Sequence, residues 1–358
     1  MTDFEVRFDT STADIHRPYA ASEDRYSGFA YRRVGTSGLI LPPLSLGLWW
    51  NFGDDRPFQI QRDVLRHAFD HGITHFDLAN NYGPPNGAAE ENFGRILRTD
   101  FKPYRSELVV STKAGWPHWP GPYGDFGSRK YLLNSLDESL ERLSTDYVDV
   151  FYSHRVDPNT PLEETIGALD HAVRSGKALY AGISSYSAER TRRAVEIATG
   201  LGTPLVIHQP AYNLLNRWVE DELLDTLGDT GLGLIAFTPL AQGLLTSKFL
   251  NDPNASHASN RYSFNEGHLS EKNLSRVRAL NEVAERRGQT LAQLAIAWLL
   301  RDRHVTSVLI GASSTKQLDE NIAATENTSF TEEELAEIDR ISRDEGDAVN
   351  VWSLSSEL

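Results

Sequence analysis

The feature that most constrains the fold of this 358-residue sequence is a long alternation of strand-like and helix-like runs. From Leu44 onward, about eight short apolar runs are each followed by an amphipathic run with helical spacing. The apolar runs are nearly continuous, which is typical of parallel strands that are covered on both faces. Such a succession of strand-and-helix units predicts an α/β fold with the closed (β/α)8 architecture of a TIM barrel.

The bounds of the predicted elements follow from these runs. The predicted barrel strands span 44–48, 74–79, 108–112, 148–153, 178–184, 205–208, 234–237 and 308–310. The predicted helices that follow them span 60–71, 88–98, 131–143, 162–175, 188–198, 220–227, 273–286 and 315–323. Two additional helices are predicted at 291–300 and 332–341, and Thr331 with Glu334 predicts a capping box for the second. Before the barrel, residues 30–34 and 39–42 predict a β-hairpin that plugs one end of it.

The domain organisation is predicted to be simple. No linker or shift in composition divides the chain, so we expect a single barrel domain over residues 28–358. Residues 1–27 are polar and lack sustained periodicity, which predicts a flexible arm or a tail that contacts another subunit. A doubly wound sheet with two lobes is the alternative architecture, but no Gly-x-Gly-x-x-Gly turn follows the first predicted strand.

The composition argues against several classes of partner and chemistry. The net charge of -15 and the pI near 5.2 are unfavourable for binding nucleic acid or an anionic membrane, because both need a basic surface. The absence of cysteine excludes disulfides and thiolate chemistry. We recognise no signal peptide and no membrane anchor, so we expect a cytoplasmic protein.

Polar residues end several of the predicted strands. In a parallel barrel all strands place their C-terminal ends at one face, and that face carries the functional side chains. Asp77 ends the second barrel strand, Tyr82 follows it, Lys113 ends the third strand and His154 follows the fourth. We therefore expect these four side chains to form one polar cluster.

This cluster suits proton donation to an oxygen atom. A phenol has a pKa of about 10, and an ammonium beside it stabilises the phenolate and lowers that pKa. We expect Lys113 to do this for Tyr82, with Asp77 as the counter-ion of the buried ammonium. A neutral His154 would hydrogen-bond a substrate oxygen. The set would protonate a carbonyl oxygen during a reduction, whereas the hydride must come from a cofactor.

Each of these residues also has other interpretations. A strand-end lysine often extends to solvent, and a buried histidine is often satisfied by backbone groups. A metal-dependent hydrolase with His154, His208 and Asp77 as ligands is the competing functional interpretation. Lys113 and Tyr82 in the middle of the cluster argue against it, because barrel metal sites usually draw on several histidines and carboxylates. We therefore predict no metal site.

The later strands end in neutral hydrogen-bonding groups rather than in acids and bases. Such groups suit a carboxamide and phosphate oxygens. They belong to Ser184, Ser185, Gln209, Thr238, Ser313, Gln317 and Asn321. The segment 311–314 leads into a predicted helix and resembles a phosphate-binding turn. Phe237 or Tyr212 is a candidate to stack on a flat heterocycle.

Motifs along the chain resemble those of the aldo-keto reductase superfamily, from about Tyr31 to the C-terminus. They are HFDLANNYG at 75–83, STK at 111–113, YSHR at 152–155 and GISSYS at 182–187. The segments FTPLAQGLL at 237–245 and GASS at 311–314 resemble the branch that contains potassium-channel β subunits and bacterial L-glyceraldehyde 3-phosphate reductases. The segments 80–85 and 209–218 are most similar to the bacterial reductases.

The resemblance implies residue roles and a cofactor. It implies that Tyr82 is the general acid, that Lys113 and Asp77 tune it, and that His154 orients the carbonyl group. It also implies binding of NADP(H), with the nicotinamide carboxamide held at strands five and six. The implied cofactor contacts are Trp49, Ser184, Ser185, Gln209, Phe237, Thr238, Leu240, Gly243, Lys248, Arg261, Gly311, Ser313, Gln317, Glu320 and Asn321. Many members carry Asn where Ser185 stands.

Two functional hypotheses remain open on the sequence. The leading one is an NADPH-dependent reductase of small aldehydes or ketones, including phosphorylated trioses. The alternative is an NADPH-binding module that senses redox state and docks to a partner protein. A homo-oligomer, either a tetramer or an octamer, is a further expectation from the resemblance. Arg155 is a candidate contact for a substrate phosphate, although strand neighbours point to opposite faces and it could face the helix layer instead.

Overall fold

Eight parallel strands close into a barrel in the computed structural model, which describes residues 18–250 and 269–343. The barrel strands are β3 (Leu44–Gly47), β4 (His75–Asp77), β5 (Val109–Ala114), β6 (Val148–Ser153), β7 (Ala178–Ser184), β8 (Leu205–Gln209), β9 (Gly233–Ala236) and β10 (Val305–Ile310). They follow one another around the barrel in chain order, and β10 closes it by pairing with β3. The predicted (β/α)8 TIM barrel is therefore confirmed.

Helices cover the outside of the barrel. They are α1 (Phe58–Asp70), α2 (Ala88–Arg98), α3 (Arg129–Leu143), α4 (Leu162–Arg174), α5 (Ala188–Leu201), α6 (Leu223–Thr230), α7 (Glu271–Arg286), α8 (Leu291–Leu300), α9 (Thr315–Ile322) and α10 (Glu332–Ser342). The additional helices α8 and α10 occur as predicted, and the Thr331–Glu334 capping box is formed. None of the helices in the described ranges has an apolar run long enough to cross a bilayer.

Two elements begin three residues away from their predicted starts, because tertiary contacts decide where they begin. Helix α6 begins at Leu223 rather than at residue 220, since Glu220 closes a short 3-10 turn and accepts bonds from Arg217 and Tyr212. Strand β10 begins at Val305 rather than at residue 308, because its first residues pair with β9.

The predicted hairpin plugs the N-terminal end of the barrel. Its strands β1 (Arg32–Arg33) and β2 (Ile40–Leu41) pair antiparallel. The amide of Thr36 donates to the carbonyl of Gly231, just before β9, at 2.9 Å. Apolar side chains of the hairpin join a cluster with inward-facing strand residues, which comprises Val34, Leu39, Leu41, Val150, Tyr152, Val206, Ile207, Ile235 and Leu309. The hairpin thereby closes the N-terminal end of the barrel with apolar side chains.

The described part of the predicted N-terminal arm lies against the barrel. The hydroxyl of Tyr19 donates to Asp70 of α1 at 2.7 Å, and the amide of Ser22 donates to the same carboxylate at 2.8 Å. Arg25 forms an ion pair with Glu107 at 2.7 Å. Residues 18–27 are therefore tied to the first two strand-and-helix units, and the rest of the predicted arm lies outside the described residues.

The contact between hairpin and barrel should depend on the missing side chain of Gly233. A Cβ there would lie 2.6 Å from Cγ1 of Val34 and 2.9 Å from Oγ1 of Thr306. We expect Gly233→Ala to lower the free energy of unfolding by about 1–3 kcal/mol, because neither neighbour can retreat from the packed interior. Urea denaturation measures the change.

The matched control is Gly200→Ala in α5, where an added Cβ meets nothing within 4 Å. This variant should gain about 0.5–1 kcal/mol, because alanine restricts the unfolded chain and favours helix. Equal stability of the two variants would contradict the close packing of the hairpin.

Candidate active site

Backbone hydrogen bonds extend the strand pairing past the strand ends and hold the polar cluster in place. The amide of Leu78 donates to the carbonyl of Ser111 at 2.9 Å, and the amide of Asn80 donates to that of Lys113 at 3.0 Å. The amide of His154 donates to the carbonyl of Ala114 at 2.9 Å. The chain after β4, β5 and β6 is thus fixed, which brings the four predicted side chains together.

Lys113 and Asp77 form a completely buried ion pair at the base of the cluster. The ammonium also donates to the carbonyl of Leu78 at 2.7 Å and lies 3.4 Å from the hydroxyl of Tyr82. Nε2 of Gln209, on the opposite side of the barrel, donates to Oδ1 of Asp77 at 3.2 Å. Burying two charges is favourable only when each has close partners, and these contacts supply them.

A chain of buried hydrogen bonds runs beneath this pair. An ionised Asp77 only accepts, so Ser111 must donate its hydroxyl proton to it, at 2.6 Å. Nε2 of His75 must then donate to Ser111, at 2.9 Å, and Nδ1 must accept from Ser45, at 2.8 Å. The hydroxyl of Ser307 donates to Ser45 at 2.6 Å. Burial lowers the pKa of His75 to about 4, so the neutral imidazole that this arrangement requires is stable.

Burial also changes the protonation of the groups above. Burial, and secondarily the charge of Asp77, raise the pKa of Tyr82 well above 10.0. Burial outweighs the lowering expected from the Lys113 ammonium, because Asp77 lies closer to that ammonium and offsets its charge at the phenol. Burial lowers the pKa of Lys113, and Asp77 opposes that shift. Burial, with the charges of Lys113 and Arg155, lowers the pKa of His154 well below 6.5. At neutral pH the phenol is protonated and the His154 imidazole is neutral.

Tyr82 and His154 face a cavity of about 570 Å³ at the C-terminal ends of the strands. The two rings meet edge to face, with centroids 5.9 Å apart, and Trp49 stacks on Tyr82 at 6.0 Å. Trp116 contacts the other side of His154. Three buried polar atoms of the cavity wall, Nδ1 of His154, Oδ1 of Asn81 and Nε1 of Trp50, have no hydrogen-bond partner in the described part of the chain.

Most of the residues predicted to contact a cofactor line this cavity. They are Trp49, Ser184, Ser185, Gln209, Phe237, Thr238, Leu240, Gly243, Lys248, Gly311, Ser313 and Gln317. The turn after β9 is conformationally unusual, because the non-glycine residues Thr238, Ala241 and Gln242 have φ of 53°, 44° and 57°. Non-glycine residues with positive φ are uncommon and cluster at functional sites. This turn brings backbone groups to the cavity wall.

Two predicted contacts in the described part of the chain, Glu320 and Asn321, do not line the cavity. Glu320 is exposed on α9, and Asn321 is buried behind the wall, where its Nδ2 donates to the carbonyl of Gly311 at 3.3 Å. Asn321 therefore supports the 311–314 loop from outside. Arg261 lies outside the described residues.

Arg155 does not face the cavity. Its guanidinium lies between the rings of Trp116 and Phe126, at 4.1 Å from each centroid. It donates to the carbonyl of Gly115 and to Asp125, both at 2.7 Å. The expectation that Arg155 contacts a substrate phosphate is therefore wrong, because the loop after β5 occupies its donors.

The cavity also contains residues that the sequence did not single out as cofactor contacts. They are Gly47, Trp50, Asn51, Arg56, Asn81, Trp116, Pro117, Pro239, Gln242, Thr246, Leu309 and Ile310. Trp50 and Asn51 follow the end of strand β3, and this position in the sequence indicates that they lie at the functional face of the barrel. Arg56, Gln242 and Thr246 lie farther along loops, where periodicity predicts no side-chain direction.

The contacts of His208 give no support to the alternative of a metal site formed by His154, His208 and Asp77. Nε2 of His208 accepts from the amide of Tyr186 at 3.1 Å, so this histidine is engaged by the backbone. Within the described ranges, the group with metal-ligand spacing is His67, His71 and Asp319, on the outside of the barrel. The two histidines are four residues apart on α1, and His67 bonds Asp319 of α9 at 2.5 Å. A hydrogen bond accounts for this contact without a metal.

Comparison with known proteins places these features in a family. The sequence matches the family model "Aldo/keto reductase family" over residues 43–343. It is 59% identical over 345 residues to an L-glyceraldehyde 3-phosphate reductase of Escherichia coli (strain K12), covering 95% of this chain and 99% of that protein. It is 38% identical over 302 residues to a probable voltage-gated potassium channel subunit beta of Arabidopsis thaliana, covering 82% and 90% respectively. The resemblance inferred from the motifs is confirmed.

The buried ion pair should tolerate removal of both partners better than removal of one. Asp77→Asn leaves the Lys113 ammonium without its counter-ion, and Lys113→Met leaves the carboxylate without its cation. We expect each to lower the unfolding free energy by about 3–5 kcal/mol. The double variant should recover much of that loss, as a double-mutant cycle by urea denaturation will show. Simple additivity of the two losses would contradict a direct interaction.

Proposed function

The chain belongs to the aldo/keto reductase family, and on this basis we propose that it reduces small aldehydes to alcohols with NADPH, using Tyr82 as general acid. The observation that carries the proposal is the position of a protonated phenol that lies beside a buried ammonium and faces a large cavity. The relative at 59% identity, an L-glyceraldehyde 3-phosphate reductase, supports phosphorylated trioses as candidate substrates.

The cavity wall fits a nicotinamide dinucleotide. Hydroxyl and amide groups of Ser184, Ser185 and Gln209 suit the carboxamide, and the ring of Phe237 suits contact with a flat heterocycle. Lys248 suits a phosphate. When bound, the cofactor supplies the hydride that reaches the carbonyl carbon.

The residues of the chain supply the proton and the orientation. Neutral His154 and the hydroxyl of Tyr82 hydrogen-bond the carbonyl oxygen from two sides, which aligns it in the cavity. As negative charge develops on that oxygen, Tyr82 transfers its proton to it. The phenolate left behind is stabilised by the ammonium of Lys113, 3.4 Å away, and regains a proton from solvent afterwards. Asp77 keeps this ammonium charged despite its burial.

The size of the substrate is limited by indole rings. Trp49 stacks on the phenol of Tyr82, Trp50 lies against Trp49, and Trp116 contacts the imidazole of His154. Such rigid, bulky walls favour short aldehydes over long ones.

A non-catalytic role as a cofactor-binding module is the second candidate, since the chain is also similar to plant potassium channel β subunits. The complete set of Tyr82, Lys113, Asp77 and His154 favours turnover instead. Steady-state oxidation of NADPH with simple aldehydes distinguishes the two, because a pure binding module should bind the cofactor without oxidising it. The homo-oligomeric state and cytoplasmic location remain expectations.

Replacement of Tyr82 by Phe should separate chemistry from binding. Phe keeps the ring and its stacking on Trp49 but has no proton to donate. We expect kcat for aldehyde reduction to fall at least about 10²–10⁴-fold, with nearly unchanged NADPH affinity in a fluorescence titration. Tyr31→Phe is the matched control, because its hydroxyl donates to Gly72 at the opposite end of the barrel and should not affect kcat. Near wild-type kcat in Tyr82→Phe would refute the mechanism.

Lys248 should contribute to selection of NADPH over NADH. It lies on a short turn after β9 and lines the cavity, so we propose that it binds the 2′-phosphate that only NADPH carries. Lys248→Ala should raise the KM for NADPH about 5–20-fold and change that for NADH less than about twofold, as expected for loss of a charge-assisted contact. The double variant with Arg261→Ala tests whether that residue adds to the effect. An unchanged ratio of the two KM values in both variants would remove this assignment.

A further inference from the structure

The cavity is cationic although the protein is strongly acidic. Within the described ranges, the charged residues that line the cavity are the cations Arg56 and Lys248. No Asp or Glu of these ranges is among the lining residues. The whole chain has a net charge of -15. A wall without carboxylates in such a chain indicates that the cavity receives anionic groups.

We propose that Arg56 forms an anion subsite that binds the phosphate of a short phosphorylated aldehyde. This inference rests on the proposed function and deepens it by assigning the residue that selects the substrate class. The sequence pointed to Arg155 for this role, and the structure has excluded that residue.

The loop that carries Arg56 is attached to the turn that carries Tyr82. Gly53 packs so closely on this turn that a Cβ would lie 2.4 Å from the carbonyl oxygen of Pro84. The amide of Asp54 donates to the same oxygen at 2.8 Å. The loop that carries Arg56 is therefore attached to the turn that directly follows the proposed general acid, and Arg56 lines the same cavity as Tyr82.

The backbone of Arg56 is held from the helix side as well. The buried amide Nε2 of Gln61, on α1, donates to the carbonyls of Gly53 and Arg56 at 2.9 and 3.1 Å. A side-chain amide that binds two loop carbonyls fixes the loop at both ends. The start of the Arg56 side chain is thus ordered while its tip remains accessible.

The guanidinium of Arg56 has donors to offer. Its side chain is 54% exposed, and its ion-pair partner Asp55 lies 3.9 Å away, beyond hydrogen-bond distance. The neighbouring Asp54 accepts instead from Asn92 at 3.1 Å, which directs this carboxylate towards α2. A planar guanidinium can bind two phosphate oxygens at once, which makes it the preferred side chain for this group.

The two cations serve different ends of the cavity. Lys248 follows β9, whereas Arg56 follows β3, and β10 lies between these strands in the barrel. The proposed cofactor phosphate contacts follow β9 and β10. Arg56 lies on the other side of them, on the loop that contacts the Tyr82 turn, and so it is assigned to the substrate rather than to the cofactor.

The experiment compares L-glyceraldehyde 3-phosphate with L-glyceraldehyde, which share the reacting aldehyde and differ in the phosphate. For Arg56→Gln, we expect kcat/KM for the phosphorylated aldehyde to fall about tenfold, mainly through KM, as for loss of a partly exposed charge-assisted contact. The value for the plain aldehyde should change less than about twofold, and NADPH affinity should stay the same. Asp55→Asn removes the competing carboxylate and should shift the preference towards the phosphorylated aldehyde.

Arg192→Gln is the matched control. Arg192 is 55% exposed and has an ion-pair partner, Glu222, at 3.8 Å, but it lies on the outer helix α5 and away from the cavity. Its replacement should leave the kinetics with both aldehydes unchanged.

Two other kinetic outcomes would contradict the subsite. An equal loss with both aldehydes would mean that Arg56 only supports the Tyr82 turn, and weaker NADPH binding would assign it to the cofactor. Absence of turnover in the wild-type protein would refute the proposed function instead. In that case the subsite is tested by binding alone. Glycerol 3-phosphate and glycerol are each titrated into the protein, and binding is followed by tryptophan fluorescence, to which Trp49, Trp50 and Trp116 of the cavity contribute. Binding of glycerol 3-phosphate that is equal in wild type and Arg56→Gln would overturn it.

Discussion

The buried ion pair between Lys113 and Asp77 is the interaction on which the site depends. Two charges removed from water are tolerated only while every polar partner is in place. Those partners come from distant parts of the chain: Ser111 from β5 and Gln209 from β8, across the barrel interior. The ammonium can therefore occupy its position beside Tyr82 only once the barrel has closed. Folding and the electrostatics of the general acid are thereby coupled in one network.

Apolar contacts elsewhere in the barrel interior offset the cost of burying these polar groups. The hairpin residues Val34, Leu39 and Leu41 close the N-terminal end with apolar contacts. Above them, a directed chain of hydrogen bonds starts at Ser307 and ends at Asp77, and it lies at the level of the apolar Ile235 and Val150. Apolar burial in one part of the interior offsets the desolvation of polar groups in another. This division lets one barrel be both stable and chemically active.

Burial rather than charge controls the protonation of the phenol. Tyr82 lies near both members of the ion pair, whose opposite charges largely cancel at its hydroxyl, and desolvation then dominates its pKa. In the proposed reaction, the raised pKa of Tyr82 would keep the proton on the phenol until a substrate oxygen gains negative charge. The ammonium of Lys113 would then stabilise the negative charge of the phenolate as that charge forms. The cationic cavity wall around Arg56 and Lys248 is a separate feature, suited to holding anionic molecules.

The sequence by itself determined the barrel and the members of the polar cluster. Continuous apolar runs specify parallel strands covered on both faces, and polar residues that end these runs must meet at one face, as Asp77 and Lys113 do. Only the tertiary structure decided the roles of Arg155 and Arg56. Arg155 adjoins His154 in the chain, yet its donors are occupied by the loop after β5, whereas Arg56 reaches the cavity from a loop without periodicity. Periodicity encodes burial along an element, but the direction of a loop side chain and the burial that shifts a pKa depend on contacts between distant segments.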